Sequence, residues 1–424
     1  MTSLKTSILN NKTYLLNVGA TFFSQFSNAL TLIILTPLLT FHLGLNNFGT
    51  YGVVINVIAF SVILDFGLNI GLVRSLIHKT PKVNDQLNSI FIFFLSLFIF
   101  LFPLYIIFYF NYFHTKSFEL FEIAGLTSII VVQNILSGYF DALIQAQNKI
   151  YISKIIRATK LLLELSIIFI FIQNINLITL LVIMLCMNTL YLLTLYIYLK
   201  KSINLTISFK SFKFSVVIDH FKYSLWYFIS SLATVLVFNT QVLILNYYNG
   251  PVIAAKYLVL VRFFDIIRIA ATNFTQVLFP KIIEVEVLND WHQLKRMLIS
   301  VYTRISIFVG IIFILFYIFG YHLFVFWSRL NDPSLMALYP LFLIFTILVI
   351  LDNVSVIFLS ALKLNKVPTL LSIVQGILGI LLSILLLKLM GYVGILIGFL
   401  VSFILTNLFF NPYYLLRAIN KKLD

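Results

Sequence analysis

Apolar runs of about twenty residues recur along this chain from Leu15 to Pro412, separated only by short polar gaps. Each is long enough to cross roughly 30 Å of hydrocarbon at about 1.5 Å per residue. Lipid cannot satisfy backbone N–H and C=O groups, so such runs must be helices. Charged residues make up 10% of the 424 and hydrophobic ones 61%, with a mean hydropathy of +1.05. A soluble domain of this length would need roughly a quarter of its residues charged. No soluble domain of ordinary size fits into the gaps. The first run lacks a small-residue cleavage site and is expected to be a retained helix rather than a signal peptide.

The runs place helices at roughly 15–40, 48–76, 84–110, 118–146, 151–172 and 177–199 in a first half. A second half carries them near 224–248, 252–279, 298–320, 335–362, 368–387 and 392–412. The expectation is an all-α integral membrane protein of about 12 transmembrane helices in two six-helix bundles around a central cavity. Its parts are a bundle over 1–199, a basic cytoplasmic linker over 200–222 with Lys200, Lys201, Lys210, Lys213 and Lys222, and a bundle over 223–424.

The formal net charge of +15 raises the question of nucleic acid, and its distribution answers it. With the N-terminus inside, about 22 of the 29 Lys and Arg residues sit in or beside cytoplasmic gaps. Lys116, Arg329 and Lys388 fall outside, and Lys256, Arg262, Arg268 and Arg304 fall within helices. The asymmetry favours two cytoplasmic termini and an even helix count. The charge is topological, and no nucleic-acid partner is expected. The single cysteine, Cys186, excludes an intrachain disulfide and a multi-cysteine metal site.

A weak internal repeat supports two halves. The stretch from Thr21 through Gly44 and Tyr51 can be laid on Tyr227 through Gly250 and Tyr257 at an offset of about 206. In each copy a long helix ends at a Gly-containing outer turn, and another long helix follows. Polar stripes at helical spacing, Ser24, Gln25 and Asn28 in one copy and Ser230, Ser231 and Thr234 in the other, can each line one wall. Two like halves around a central site is a transporter's architecture. Pro37 and Pro103 fall near outer helix ends, where each is either a hinge or a static kink.

Ionisable groups at membrane depth are costly and usually face a cavity or a partner. The densest set is Arg262, Asp265 and Arg268 in the eighth helix, spaced by three on one stripe. Two arginines against one aspartate leave net positive charge suited to holding a phosphate. A salt bridge packing the helix against a neighbour is the competing reading. Arg304 in the ninth helix, with Gln25 and Asn28, completes the candidate substrate-binding set. Asp65, Asp265 and Asp352 are candidates for ion coupling, and the sequence does not rank them. Asp141, Arg157, Lys160 and Glu164 read as structural pairs nearer the cytoplasmic side. The chain carries neither a nucleotide-binding phosphate loop nor a His/Cys/carboxylate set with metal-ligand spacing, so no catalytic residue, metal or cofactor is expected.

Gly44-Leu45-Asn46-Asn47-Phe48-Gly49-Thr50-Tyr51-Gly52, Leu64-Asp65-Phe66-Gly67-Leu68 and Gly138-Tyr139-Phe140-Asp141-Ala142-Leu143-Ile144-Gln145-Ala146-Gln147 resemble a Wzx-type O-antigen or capsule repeat-unit flippase of the multidrug/oligosaccharidyl-lipid/polysaccharide exporter superfamily. The resemblance extends over nearly the whole chain, through degenerate patterns rather than a catalytic signature. It implies two bundles in a V around an often cationic cavity. It also implies alternating-access transfer of an undecaprenyl-diphosphate-linked oligosaccharide from the cytoplasmic to the outer leaflet of a bacterial inner membrane, for lipopolysaccharide or other polysaccharide biosynthesis. Implied partners are that lipid, the membrane lipids and polysaccharide polymerase and chain-length machinery. One rival is a small-molecule or drug antiporter of the same fold, expected to carry an acidic cavity. Another is a polysaccharide polymerase or glycosyltransferase, which needs a sizeable outer loop, whereas the longest outer gap here is Tyr321 to Ser334.

Overall fold

The computed structural model describes residues 2–77, 83–114, 117–203, 208, 212–276 and 278–423, so Lys116 and Lys210 lie outside it. Among the described residues there is no strand. The first two apolar runs form one long segment, α1 (Thr2–Ala59), broken at Gly44 with φ 72° and ψ 163°. That backbone region is open essentially to glycine alone. The second run breaks again into α2 (Ser61–Leu64) and α3 (Leu68–Ile77). The loop between them holds Phe66 at φ 50° and Gly67 at φ 70°. There α2 stops because Asp65 folds its carboxylate back on the chain: Gly67 N donates to Oδ1 at 2.7 Å and Asn69 Nδ2 to Oδ2 at 3.2 Å.

The next four apolar runs become α4 (Val83–Tyr112), α5 (Phe118–Ala146), α6 (Ile150–Ile170) and α7 (Leu177–Ile203). Helix α8 (Phe214–Phe238) starts ten residues before the apolar run that predicts it and passes, at Asn239, into α9 (Thr240–Asn249). Gly250, at φ 80° and ψ 172°, then turns the chain into α10 (Pro251–Gln276). The two halves of the sequence repeat therefore share one glycine conformation at equivalent positions. A short amphipathic helix that the apolar runs do not predict, α11 (Phe279–Val287), leads to α12 (Trp291–Leu315). A π-helical turn over Phe316–Gly320 joins α12 to α13 (Tyr321–Ser328), so most of the expected outer gap is helical. The chain ends with α14 (Pro333–Ala361), α15 (Lys366–Met390), α16 (Val393–Phe403), a π-helical turn over Ile404–Leu408, and α17 (Phe409–Leu423).

Among the described residues, nine helical segments are long and apolar enough to span a bilayer. The first of them holds two spans joined at Gly44. Helices α6 and α10, of 21 and 26 residues, are long enough but too charged to meet that criterion. Counting them, the described residues hold twelve membrane-length segments, as expected for a multi-pass membrane protein.

The contacts divide the chain into two units, Met1–Thr31 with Val53–Ser231, and Leu32–Gly52 with Leu232–Asp424. In the first, α5 is the hub, packed on α3, α4, α6 and α7. Its polar Thr127 and Ser128 are fully buried, and Tyr109 bonds Thr127 at 3.2 Å. What is described of the linker is strapped to α4: Ser208 N donates to Asn88 Oδ1, Lys213 N to Ser89 Oγ, and Lys213 Nζ pairs with Asp85 at 2.6 Å. In the second unit the hub is α14, packed on α10, α11, α12, α16 and α17.

Candidate functional site

Helix α10 positions the stripe that the spacing predicted. Arg268 donates to Asp265 Oδ1 through Nη2 at 2.7 Å and Nε at 3.1 Å, and its guanidinium lies 4.7 Å from the centre of the Phe238 ring. Arg262 Nη1 stands 3.7 Å from Asp265 Oδ2, beyond hydrogen-bond length. One carboxylate is thus claimed by Arg268, and Arg262 supplies charge that nothing in the trio cancels. All three side chains are half-buried. A small cavity of ≈ 40 Å³ opens beside them, lined by Phe238, Gln241, Phe264, Asp265, Arg268 and Thr346. Gln241 on α9 donates to the Val237 carbonyl at the end of α8 and accepts from the Tyr257 hydroxyl, so its amide is fixed. A space of this size takes an ordered water or a single anionic oxygen but no sugar ring.

Two turns along the same α10–α14 seam lies a second polar group. Asn353 Nδ2 donates to Thr275 Oγ1 at 2.9 Å. Its neighbour Asp352 is buried and accepts one amide donor, Asn411 Nδ2, at 3.0 Å. Among the described residues no Lys, Arg or His pairs with it. Asn411 is itself fully buried and its Oδ1 has no hydrogen-bond partner. One turn earlier Asn407 donates to Gln375 Oε1 at 2.7 Å and to Ser372 at 3.2 Å, and its Oδ1 is likewise unpartnered. A buried carboxylate without a counter-charge needs a proton or a cation to be tolerated there. The hydroxyls of Tyr302 and Ser355 meet nearby on α12 and α14.

The three candidate aspartates are therefore in different environments. Asp65 caps a chain reversal through a backbone N–H and an amide, Asp265 is neutralised by arginine, and Asp352 is buried on a single amide donor. Depth in the apolar runs names Asp352 as one of three unranked candidates and misses Asn407, Asn411 and Gln375. The signal available was a pair of asparagines four apart in an apolar run. Arg304 is exposed on α12, away from the α10 cavity, while its neighbour Ile305 packs toward α10 and α14. Gln25 is half-buried and Asn28 exposed on α1, in the other unit from the arginines. The paired charges read as structural are bonded: Arg157 to Asp141 at 2.5 Å, with Tyr191 donating to the same carboxylate at 2.9 Å, and Lys160 to Glu164 at 2.8 Å.

The family described as "Polysaccharide biosynthesis protein" matches residues 14–286. No curated protein matches the sequence. Among solved structures, an inward-facing multidrug resistance MATE family transporter of the MOP superfamily aligns with TM-score 0.72 at 12% identity, over 96% of this chain and 99% of that one. A MATE in complex with MaL6 aligns with TM-score 0.66 at 12% identity, over 97% of both chains. A MOP superfamily transporter from Pyrococcus furiosus, described by the reverse polarity of its binding pocket, aligns with TM-score 0.62 at 12% identity, over 96% of both. These likenesses establish the fold, and the family match establishes kinship: the chain belongs to the polysaccharide biosynthesis protein family and has the fold of the MATE transporters of the MOP superfamily.

Proposed function

We propose that this protein is a flippase that carries an undecaprenyl-diphosphate-linked oligosaccharide, an O-antigen or capsule repeat unit, from the cytoplasmic to the outer leaflet of a bacterial inner membrane by alternating access. The observation that carries the reading is the net positive charge of Arg262 and Arg268 set against the one carboxylate of Asp265, in a member of a polysaccharide biosynthesis family. A diphosphate is a dense anion for which a fixed arginine supplies paired donors. The diphosphate docks on this charge and the polyprenyl tail stays in lipid. Arg268, held by Asp265 and Phe238, positions the trio, and the adjoining cavity admits water or one phosphate oxygen. Asp352, with Asn411, is the group that takes up the coupling proton or cation. Both termini are cytoplasmic, and the polymerase and chain-length machinery receive the product at the outer leaflet.

The likeness to multidrug transporters favours a second reading, a small-molecule antiporter of the same fold. The two differ in the charge that the carrier must present. Expression in a flippase-null strain that makes a defined repeat unit tests the proposal: surface glycan returns if it is right. Failure to restore any glycan, together with raised resistance of an efflux-deficient strain to cationic drugs, would establish the antiporter instead.

A further inference from the structure

Pro37 lies inside α1 and has no N–H, so the carbonyl of Ile33, four residues earlier, loses its intrahelical donor. In an apolar surrounding such a carbonyl is costly to leave unpaired. The indole of Trp327, near the end of α13, supplies the missing donor: its Nε1 donates to Ile33 O at 2.8 Å. Tryptophan is common near membrane interfaces without any such partner. Here the donor meets the one backbone acceptor that the proline frees.

The surrounding contacts seal the same end of the second unit. Arg329, which ends α13 in a left-handed conformation, lays its guanidinium 5.8 Å from the centre of the Phe41 ring. A Cβ on Gly49 would sit 2.0 Å from the carbonyl oxygen of Pro251, and one on Gly52 would sit 2.7 Å from Leu258, so the segment around the Gly44 turn lies directly on α10. Lys256 on α10 pairs with Asp332 at 2.5 Å. Bonding to Lys256 and Ser334 pulls the Asp332 carboxyl down to about 2. The stabilisation from that clamp is complete above the ordinary carboxylate range and is lost only as pH falls through about 2, so ordinary acidification leaves it in place.

We infer that Trp327 is a releasable latch: its indole holds α1 at Pro37 against α13 and keeps the segment around Gly44 seated on α10 within the second unit, and the bond breaks each time that segment lifts away. The inference rests on the alternating-access reading for its role in transport, with the Gly44 turn on the outer side. The latch itself is a conformational equilibrium that is measurable without cargo.

The test uses full-length protein in proteoliposomes, with Cys186→Ser and a reporter Val242→Cys. Val242 is buried and packs where a Cβ on Gly52 would lie 3.6 Å away. The readout is the labelling rate by a membrane-impermeant maleimide, which tracks the open population. Trp327→Phe keeps an aromatic ring against Phe263 and deletes the donor. It should raise labelling about five-fold, the size of one neutral hydrogen bond. Pro37→Ala returns an N–H to the helix, so in that background Trp327→Phe should change the rate less than two-fold. An unchanged rate for Trp327→Phe alone, or the same increase with and without Pro37, would overturn the latch. Loss of glycan restoration in cells by the unmodified protein would count against the flippase reading alone, because the labelling experiment requires no transport.

Discussion

At the scale of single residues, charge balance decides what each ionisable group can do. Arg268 and Arg262 share one carboxylate unequally, at 2.7 Å and 3.7 Å. Removing Arg268 takes away the hydrogen-bonded partner of a half-buried Asp265, whereas removing Arg262 deletes the excess charge and only a long 3.7 Å ion pair. Arg262→Gln should therefore insert, accumulate and melt like the parent yet lose at least nine-tenths of surface glycan in the restoration assay, with Arg262→Lys retaining part of it. Full glycan display by Arg262→Gln would exclude this side chain from cargo binding. Asp352 poses the opposite problem, a buried acid with an amide donor and no base. Asp352→Asn keeps the shape and removes the need for a proton or cation. Its unfolding temperature in detergent should be equal to or above the parent's, while gradient-driven transport falls to background. Unimpaired transport would mean that coupling lies elsewhere. The arginine stripe was legible in the sequence because spacing of three on a helix fixes a common face. The ranking of the aspartates was not, because it depends on partners that come from distant stretches: Asn411 stands 59 residues from Asp352.

At the scale of elements, the sequence betrays where helices run and says less about how they are interrupted. The run over 118–146 is α5 to the residue, since Ser117 caps it, accepting from Leu120 N at 3.2 Å, and the apolar run stops with it. Helix α8 starts earlier than predicted because its first turns carry Asp219, His220 and Lys222, which end an apolar window without ending a helix. The break at Asp65–Gly67 was hidden for the reverse reason: its flanks are apolar, and a side-chain cap made the turn. The repeat is the best test of what glycine does here. Gly44 and Gly250 both occupy backbone space closed to other residues, and at neither would an added Cβ meet a neighbour within 4 Å. Gly44→Ala and Gly250→Ala should each lower stability by about 1–3 kcal/mol through backbone strain alone, seen as depressed unfolding temperatures of similar size. Because no packing clash is involved, serine at either site should cost the same as alanine. A large difference between the two substitutions would place the cause in packing rather than in the backbone.

At the scale of the whole molecule, the multi-pass character and the twelve membrane-length segments follow from hydropathy and length. The assignment of Leu32–Gly52 to the second unit does not, since it arises from contacts such as Gly49 on Pro251 and Trp327 on Ile33 that join stretches hundreds of residues apart. Cargo is the question that the fold leaves to electrostatics. A carrier must replace the hydration of its cargo's charge while that charge crosses the low-dielectric core. For an organic cation this requires carboxylates that are not already paired. In the second unit the carboxylates within apolar helices are Asp265, claimed by arginine, and Asp352, which has no base among the described residues but is buried on the single amide of Asn411 and is assigned above to coupling rather than to cargo. The surplus on α10 is positive, which suits a diphosphate and repels a cationic drug. The protein should therefore restore surface glycan to a flippase-null strain and leave the sensitivity of an efflux-deficient strain to cationic drugs within two-fold of the empty vector. Arg262→Gln should abolish the first effect without creating the second. Drug resistance that rises with expression and survives Arg262→Gln would show that the positive stripe does not select the cargo, and the flippase reading would fall with it.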